Sequence, residues 1–149
     1  MERQKTGREI AEQLLKDYLE AVCRSDDLIA QYEALEKIIE PSSSQLARMK
    51  ELEETAIPEA VAKDKKLKES VLDLLALPGS DLPTQHIRTL ELRYLAAMGW
   101  KEVVEAVYGE KDDFALNRLR YEHRVFLSHR RGINIIGAAL DRKMQSPAE

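Results

Sequence analysis

The 149-residue chain has few of the residues that would point away from a simple helical fold. It contains one cysteine, Cys23, which excludes an internal disulfide and a cysteine-rich zinc site and favours a reducing cytoplasm. Aromatic residues make up 5% of the chain and charged residues 34%, which favours helices with solvated faces over a β-sandwich or barrel. No apolar run approaches the roughly 18 residues that span a bilayer. We therefore expect a cytoplasmic protein without membrane contact, and the N-terminus predicts no secretory signal.

Charge is distributed unevenly along the chain. Residues 1–80 hold 12 Lys/Arg and 17 Asp/Glu, a net charge of −5, whereas residues 114–143 hold seven Lys/Arg and two Asp/Glu, a net charge of +5. The overall net charge of −4 argues against a wholly basic nucleic-acid binder. The asymmetry is typical either of a basic segment that binds an anionic partner or of an ordinary solvated helix face.

The N-terminal region, residues 1–80, predicts long amphipathic helices. Apolar or small residues recur at steps of three and four over about 8–39, which indicates a heptad-like seam. Pro41 and the serines after it are expected to end this helix and cap the next, and Pro58 predicts a kink or a first-turn proline. We expect a helical hairpin or short antiparallel coiled coil whose seam is covered by its own helices or by a second protomer, in which case these helices form a homodimer.

The C-terminal region, residues 81–131, predicts three shorter helices. They are expected from Thr84 to a left-handed Gly99, from Lys101 to about Tyr108, and from about Phe114 to His129. Together they outline a helix-turn-helix unit, with the first helix completing its small core. Residues 132–149 predict a short apolar segment and a frayed tail from Gln145. The fold class is thus all-α: a helical hairpin or coiled coil followed by a three-helix unit.

The third of these helices carries the candidate binding residues. Its predicted core face holds Leu116, Leu119, His123 or Phe126, and Leu127. The opposite face combines cations suited to phosphates and guanine, an amide suited to adenine, and an aromatic ring, so we expect it to contact double-stranded DNA. A solvated face without a ligand is the alternative. The predicted DNA-binding residues are Asn117, Arg118, Arg120, Tyr121, Arg124, Ser128 and Arg131.

Two segments carry a family resemblance. LELRYLAAMGWKEVVEAVYG (90–109) and NRLRYEHRVFLSHRR (117–131) resemble small phage and prophage regulators of the RinA and ArpU type, which bear a helix-turn-helix like that of sigma-70 region 4. The matching residues are Leu92-Arg93-Tyr94, Trp100, Glu102 and Val103. Val104 or Glu105 departs from the family's alanine in the second helix, and the turn at 110–113 is longer and more acidic. The resemblance implies a phage origin and contact with promoter DNA or host RNA polymerase.

Two other classes of function are alternatives to DNA binding. The first is a phage-encoded protein that binds and inhibits a host protein, such as polymerase or a defence nuclease of the CRISPR type, through the same helices or the acidic face of residues 1–80. The second is an enzyme. The chain has no glycine-rich phosphate loop, and its three histidines lack metal-ligand spacing, so we expect no catalytic residues, no metal and no cofactor.

Overall fold

The computed structural model describes residues 4–145, and every regular element in that range is helical, which confirms the all-α class. A π-helical turn, Leu52–Ala56, joins the second helix to the third, and another, Glu91–Leu95, extends the fourth. A single 3-10 turn, Gly79–Asp81, lies between the third and fourth helices. None of the helices in the described range is both long and apolar enough to cross a membrane. The helices are α1 (Gly7–Glu36), α2 (Ser43–Glu51), α3 (Ile57–Ala76), α4 (Thr84–Leu90), α5 (Trp100–Tyr108) and α6 (Arg118–Gln145).

The helix boundaries follow local capping chemistry in the first half of the chain. Ser42 accepts a hydrogen bond from the backbone N–H of Gln45, and the Gln45 side chain accepts one from the Ser42 N–H, a capping box that starts α2. Pro58 lies at the start of α3, directly after the π-helical turn Leu52–Ala56, inside a helical run that is unbroken from 43 to 76. The predicted serine cap is confirmed at Ser42, whereas α1 ends at Glu36, before Pro41 is reached.

The main core forms where α1 packs against α3 and α6. It draws Leu15 from residues 1–80, Leu90 from residues 81–131 and Ile136 from residues 132–149, and all three are fully buried. The division of the chain at residue 80 stays a prediction, and position 131 lies inside α6. Within the predicted α1 seam, Tyr18, Ala21 and Leu28 are buried by the chain itself, whereas Tyr32 and Leu35 are half-buried and Ile39, beyond the end of α1, is 88% exposed. A homodimer through these helices stays a prediction.

The start of α1 crosses the last third of α6 at two glycines. A Cβ on Gly137 would lie 2.7 Å from the Cα and N of Arg8, and a Cβ on Gly7 would collide with the carbonyl oxygen of Gly137. The Gly7 N–H donates a hydrogen bond to Asp141 Oδ1 at 2.7 Å. The two backbones therefore approach too closely for any side chain between them.

The last helix is much longer than the sequence pattern suggested. The prediction that the third C-terminal helix ends near His129 is wrong, since α6 runs unbroken for 28 residues to Gln145. Gly132 and Gly137 remain helical because they face α4 and α1 at close range. The apolar residues after 132 are therefore the second half of α6, not a separate segment. Gln145 belongs to that helix, and the rest of the predicted frayed tail lies outside the described residues.

The break between α4 and α5 also differs from expectation. Gly99 has φ −66° and serves as the extended N-cap of α5, so its predicted left-handed conformation is wrong. Ala97 takes the left-handed role instead, with φ 53°. Arg93 Nη1 donates a hydrogen bond to the Met98 carbonyl at 2.9 Å and closes this turn.

A half-buried histidine joins the main core to a second core at the N-terminal half of α6. His129 Nε2 lies 2.7 Å from the Tyr94 hydroxyl, and its ring packs edge-on against Trp100 at 4.8 Å between centroids. Burial, reinforced by the positive charge of Arg93, lowers the pKa of His129 to about 4.

The glycine crossing predicts the response to one added methyl group. Gly137→Ala should lower the free energy of unfolding by about 1–2 kcal/mol, because the overpacking cost exceeds the roughly 1 kcal/mol gained in helix propensity. Denaturant unfolding measures this difference. Asn134→Ala, at an exposed position one turn earlier, is the control and should cause no loss. Equal stability of both variants would contradict the close crossing.

The half-buried histidine predicts a pH dependence of stability. The pKa of His129 is about 4 in the folded protein and about 6.5 in the unfolded chain, so the unfolded state binds more protons between these values. Stability should be flat above pH 6.5 and fall by about 2 kcal/mol toward pH 4, allowing for partial exposure. The difference in unfolding free energy between wild type and His129→Gln should follow this window. A difference that does not change with pH would contradict it.

Candidate nucleic-acid interface

The second core fixes the N-terminal half of α6 against α5. Val103 and Val104 of α5 are buried with Tyr121 and Val125 of α6. Successive turns of α6 therefore face α5, and this contact helps decide which α6 side chains reach solvent.

Two residues predicted to read bases are held by an acid from the preceding turn. The Tyr121 hydroxyl donates to Asp113 Oδ1 at 2.6 Å, and the Asn117 amide donates to Asp113 Oδ2 at 3.0 Å. Tyr121 is only 6% exposed, so the prediction that it faces away from the core is wrong. Asn117 is half-buried, with its amide nitrogen already engaged. These hydrogen bonds, with a smaller effect of Arg120, lower the pKa of Asp113.

Arg118 is neutralised by the protein's own acids. Its Nη2 lies 3.1 Å from Glu105 Oε1 and its Nε lies 3.4 Å from Glu122 Oε1. Its guanidinium also lies over the Phe114 ring, 5.4 Å from the centroid. Arg118 therefore joins the turn, α5 and α6, and has little capacity left for a phosphate.

Ser128 belongs to an internal hydrogen-bond chain. Thr89 Oγ1 donates to the Gln85 carbonyl at 3.1 Å, so its bond with Ser128 Oγ, also 3.1 Å, uses the Ser128 proton. Ser128 Oγ then accepts from His86 Nδ1 at 2.6 Å, which assigns the proton of the neutral imidazole to Nδ1. Burial, with a smaller effect of Arg131, lowers the pKa of His86 and keeps this ring neutral. The predicted role of Ser128 at the solvent face is therefore wrong.

The exposed side of α6 is the side that the sequence pattern assigned to the core. Leu116 is 90% exposed and Leu119 is 79% exposed, and His123 and Leu127 are exposed as well. The predicted core face of this helix is therefore wrong. Leu119, His123 and Leu127 share one side of α6 with two arginines, and Leu116 lies in the turn just before the helix, which begins at Arg118 and not at the predicted Phe114. Together these side chains border a shallow groove of about 560 Å³. We call the following set the α6 face: Leu116, Leu119, Arg120, His123, Arg124 and Leu127.

Three of the predicted DNA-binding residues do reach solvent as cations. Arg120, Arg124 and Arg131 are exposed and make no ion pair with any carboxylate in residues 4–145. The Arg124 guanidinium lies over the Tyr121 ring, 5.3 Å from the centroid, a contact that orients it while leaving its N–H groups available. Glu122, the one acid between residues 114 and 140, is paired with Arg118.

Sequence reasoning missed contributions from outside the predicted stripe. Arg130 of α6 and Arg88 of α4 are exposed cations, and His123 lies on the α6 face. For Arg130 and His123, the signal that could have placed them is Ile133 and Ile136, because a helix continuing past 131 puts Tyr121 and Val125 on the same inward side as these isoleucines. No signal in the α6 sequence could have placed Arg88, which lies on α4.

The helix-turn-helix arrangement itself stays a prediction. The segment between α5 and α6 spans residues 109–117, longer than the three or four residues of the tight motif. No group of three His, Cys, Asp or Glu side chains in the described part of the chain is placed to hold a metal ion.

The internal hydrogen-bond chain predicts a structural role for Ser128. Ser128→Ala removes the acceptor of His86 Nδ1–H and should cost about 1–3 kcal/mol of unfolding free energy, because that buried donor is left without a partner. DNA affinity per folded molecule should not change. Calorimetric unfolding and a binding titration on the same sample measure the two quantities. If the variant keeps full stability but binds DNA more weakly, Ser128 contacts DNA as the sequence predicted and its internal hydrogen bonds do not stabilise the fold.

Comparison of the chain with protein-family models, with curated proteins and with solved structures finds no match.

Proposed function

We propose that this protein binds double-stranded DNA without catalysis, with the α6 face entering the major groove. The observation that carries the proposal is the exposed set Arg120, Arg124 and Arg131 on one side of α6, unpaired with any acid in residues 4–145. A regulator of phage genes, as the RinA and ArpU resemblance implies, is the biological role that this binding would serve.

The charge of the α6 face supports an anionic partner. Two acids near the start of α6 have partners within the protein: Asp113 accepts a hydrogen bond from Tyr121, and Glu122 pairs with Arg118. A phosphate approaching Arg120 or Arg124 therefore meets cations whose charge is not neutralised inside the protein. Phosphate contacts of this kind supply most of the affinity of DNA-binding proteins.

The shape and apolar residues of the α6 face support groove contact. A single helix fits the major groove of B-DNA, which is about 12 Å wide. Leu116 and Leu119 protrude beside Arg120, and an apolar side chain next to an arginine can contact a thymine methyl while the arginine reads guanine or binds phosphate. Val103 and Val104 of α5 pack against α6 and hold it in a fixed orientation, which suits a helix that contacts base edges.

Salt-dependent binding tests this proposal. Wild type should bind a 20-base-pair duplex of mixed sequence at about 50 mM salt, with affinity falling linearly in log–log form as salt rises. Arg120→Gln and Arg124→Gln should each weaken binding and reduce the slope by about 0.9 for each phosphate that the variant no longer neutralises. Fluorescence anisotropy of a labelled duplex measures both quantities.

Arg48→Gln is the matched control, since it makes the same charge change on α2, where Arg48 pairs with Glu51 at 3.2 Å. Its slope should equal that of wild type. If Arg48→Gln and Arg120→Gln weaken binding equally, the effect is one of net charge and the α6 face is not the interface.

A second candidate function is binding to a host protein, such as polymerase or a defence nuclease. The observation that favours it is the apolar exposure of Leu116 and Leu119, joined by Phe126 at 47%. Two results together would replace the first candidate with the second. Duplexes would be ignored at about 50 mM salt, and one purified host protein would bind wild type but not the Leu116→Ser/Leu119→Ser double variant.

A further inference from the structure

A cleft between α4 and α6 opens beside the α6 face. It encloses about 350 Å³ and is closed at one end by the last residues of α5. Arg88 of α4 and Arg124 and Arg131 of α6 line its walls, and no aspartate or glutamate lines it. The charged residues that line the cleft are therefore all cationic, which favours an anionic ligand.

Two of these arginines are held by contacts that leave their positive charge unneutralised. Arg88 Nη2 donates to the carbonyl of Ala106 at 3.2 Å, which ties it to the end of α5 while leaving its other N–H groups for a ligand. Arg124 rests on the Tyr121 ring. The cleft is thus partly preorganised, since two of its three cations have fixed supports.

The floor of the cleft is neutral. It consists of the hydrogen-bond chain through His86, Ser128 and Thr89, in which each hydroxyl proton is already donated inside the protein. Arg131 is close enough to His86 to help lower the pKa of that ring. The floor therefore carries no negative charge that would neutralise the arginines of the walls. Recognition of a ligand is left to these arginines.

We infer that this cleft is a phosphate-binding site in which Arg88, Arg124 and Arg131 together hold the phosphate oxygens. Guanidinium forks match tetrahedral oxyanions in geometry and stay charged at all physiological pH values. Arg124 lines both the cleft and the groove along the α6 face, so a phosphate in the cleft lies next to any duplex bound there. Assigning that phosphate to the DNA backbone rests on the proposed function, whereas the phosphate site itself does not.

Titration with inorganic phosphate tests the site directly. The full chain, at 17.0 kDa, is suited to NMR, and the side-chain Nε–H signals of its arginines report ligand contact. At constant ionic strength, phosphate should shift the signals of Arg88, Arg124 and Arg131 along one saturable curve and leave Arg48 unshifted. Arg131→Gln, at an exposed position, should weaken this binding at least tenfold, and Arg88→Gln should do the same. Equal response of Arg48 and the cleft arginines, or unchanged binding in both variants, overturns the site.

A duplex titration with the same variants distinguishes the source of the phosphate. If the cleft takes a backbone phosphate, Arg131→Gln and Arg88→Gln each reduce the salt slope of DNA binding by about 0.9, as Arg120→Gln does. Phosphate binding with an unchanged DNA slope overturns the backbone assignment and supports a free phosphate ligand. Phosphate binding by a protein that binds no duplex refutes the proposed function and leaves the cleft inference intact.

Discussion

The crossing of α1 and α6 at Gly7 and Gly137 is the contact on which the rest of the molecule depends. It brings the start of the chain to within backbone distance of its last helix. Because Asp141 accepts from the Gly7 N–H, the crossing also satisfies a donor at the start of α1. Helices that approach so closely have little freedom to rotate about their axes, since any rotation would bring a side chain into the contact. The crossing therefore helps fix the rotation of α6 about its own axis.

The rotation of α6 in turn decides which arginines face water. Ile133 and Ile136 point into the main core, and the same side of the helix, two to four turns earlier, carries Tyr121 and Val125 into the second core. Arg120, Arg124 and Arg131 follow on the outward side. The structure beneath the α6 face is thus continuous with the protein's main core, and the cations are presented by a helix anchored at both ends. A rigid helix loses little conformational entropy when it binds, so more of the interaction free energy contributes to the affinity for a ligand of this face.

Local patterns predicted well what depends on local interactions. The all-α class, the Ser42 cap and the α1 seam at Tyr18, Ala21 and Leu28 follow from spacing and capping chemistry within a few residues. The orientation of α6 could not be predicted in this way. Its exposed leucines are more hydrophobic than Tyr121, so the hydrophobic pattern assigned the leucine side of the helix to the core. Tyr121 is buried by a tertiary arrangement, with Val103 and Val104 beside it and Asp113 satisfying its hydroxyl. The predicted end of the helix at 129 also left out Ile133 and Ile136. These isoleucines share a side with Tyr121 and would have indicated that this side faces the core.

The electrostatics explain how a chain of net charge −4 can present a cationic surface. Interactions between exposed charges are screened over about 8 Å at physiological salt, so the total matters less than the partners each charge finds nearby. Three acids near the start of α6 are engaged locally, Glu105 and Glu122 by Arg118 and Asp113 by Tyr121 and Asn117. The ion pairs of Arg118 neutralise Glu105 and Glu122, whereas Asp113 keeps its charge and interacts with Arg120. Arg118 therefore keeps Glu105 and Glu122 from pairing with its exposed neighbours, which leaves those neighbours available for the anionic ligand that we propose.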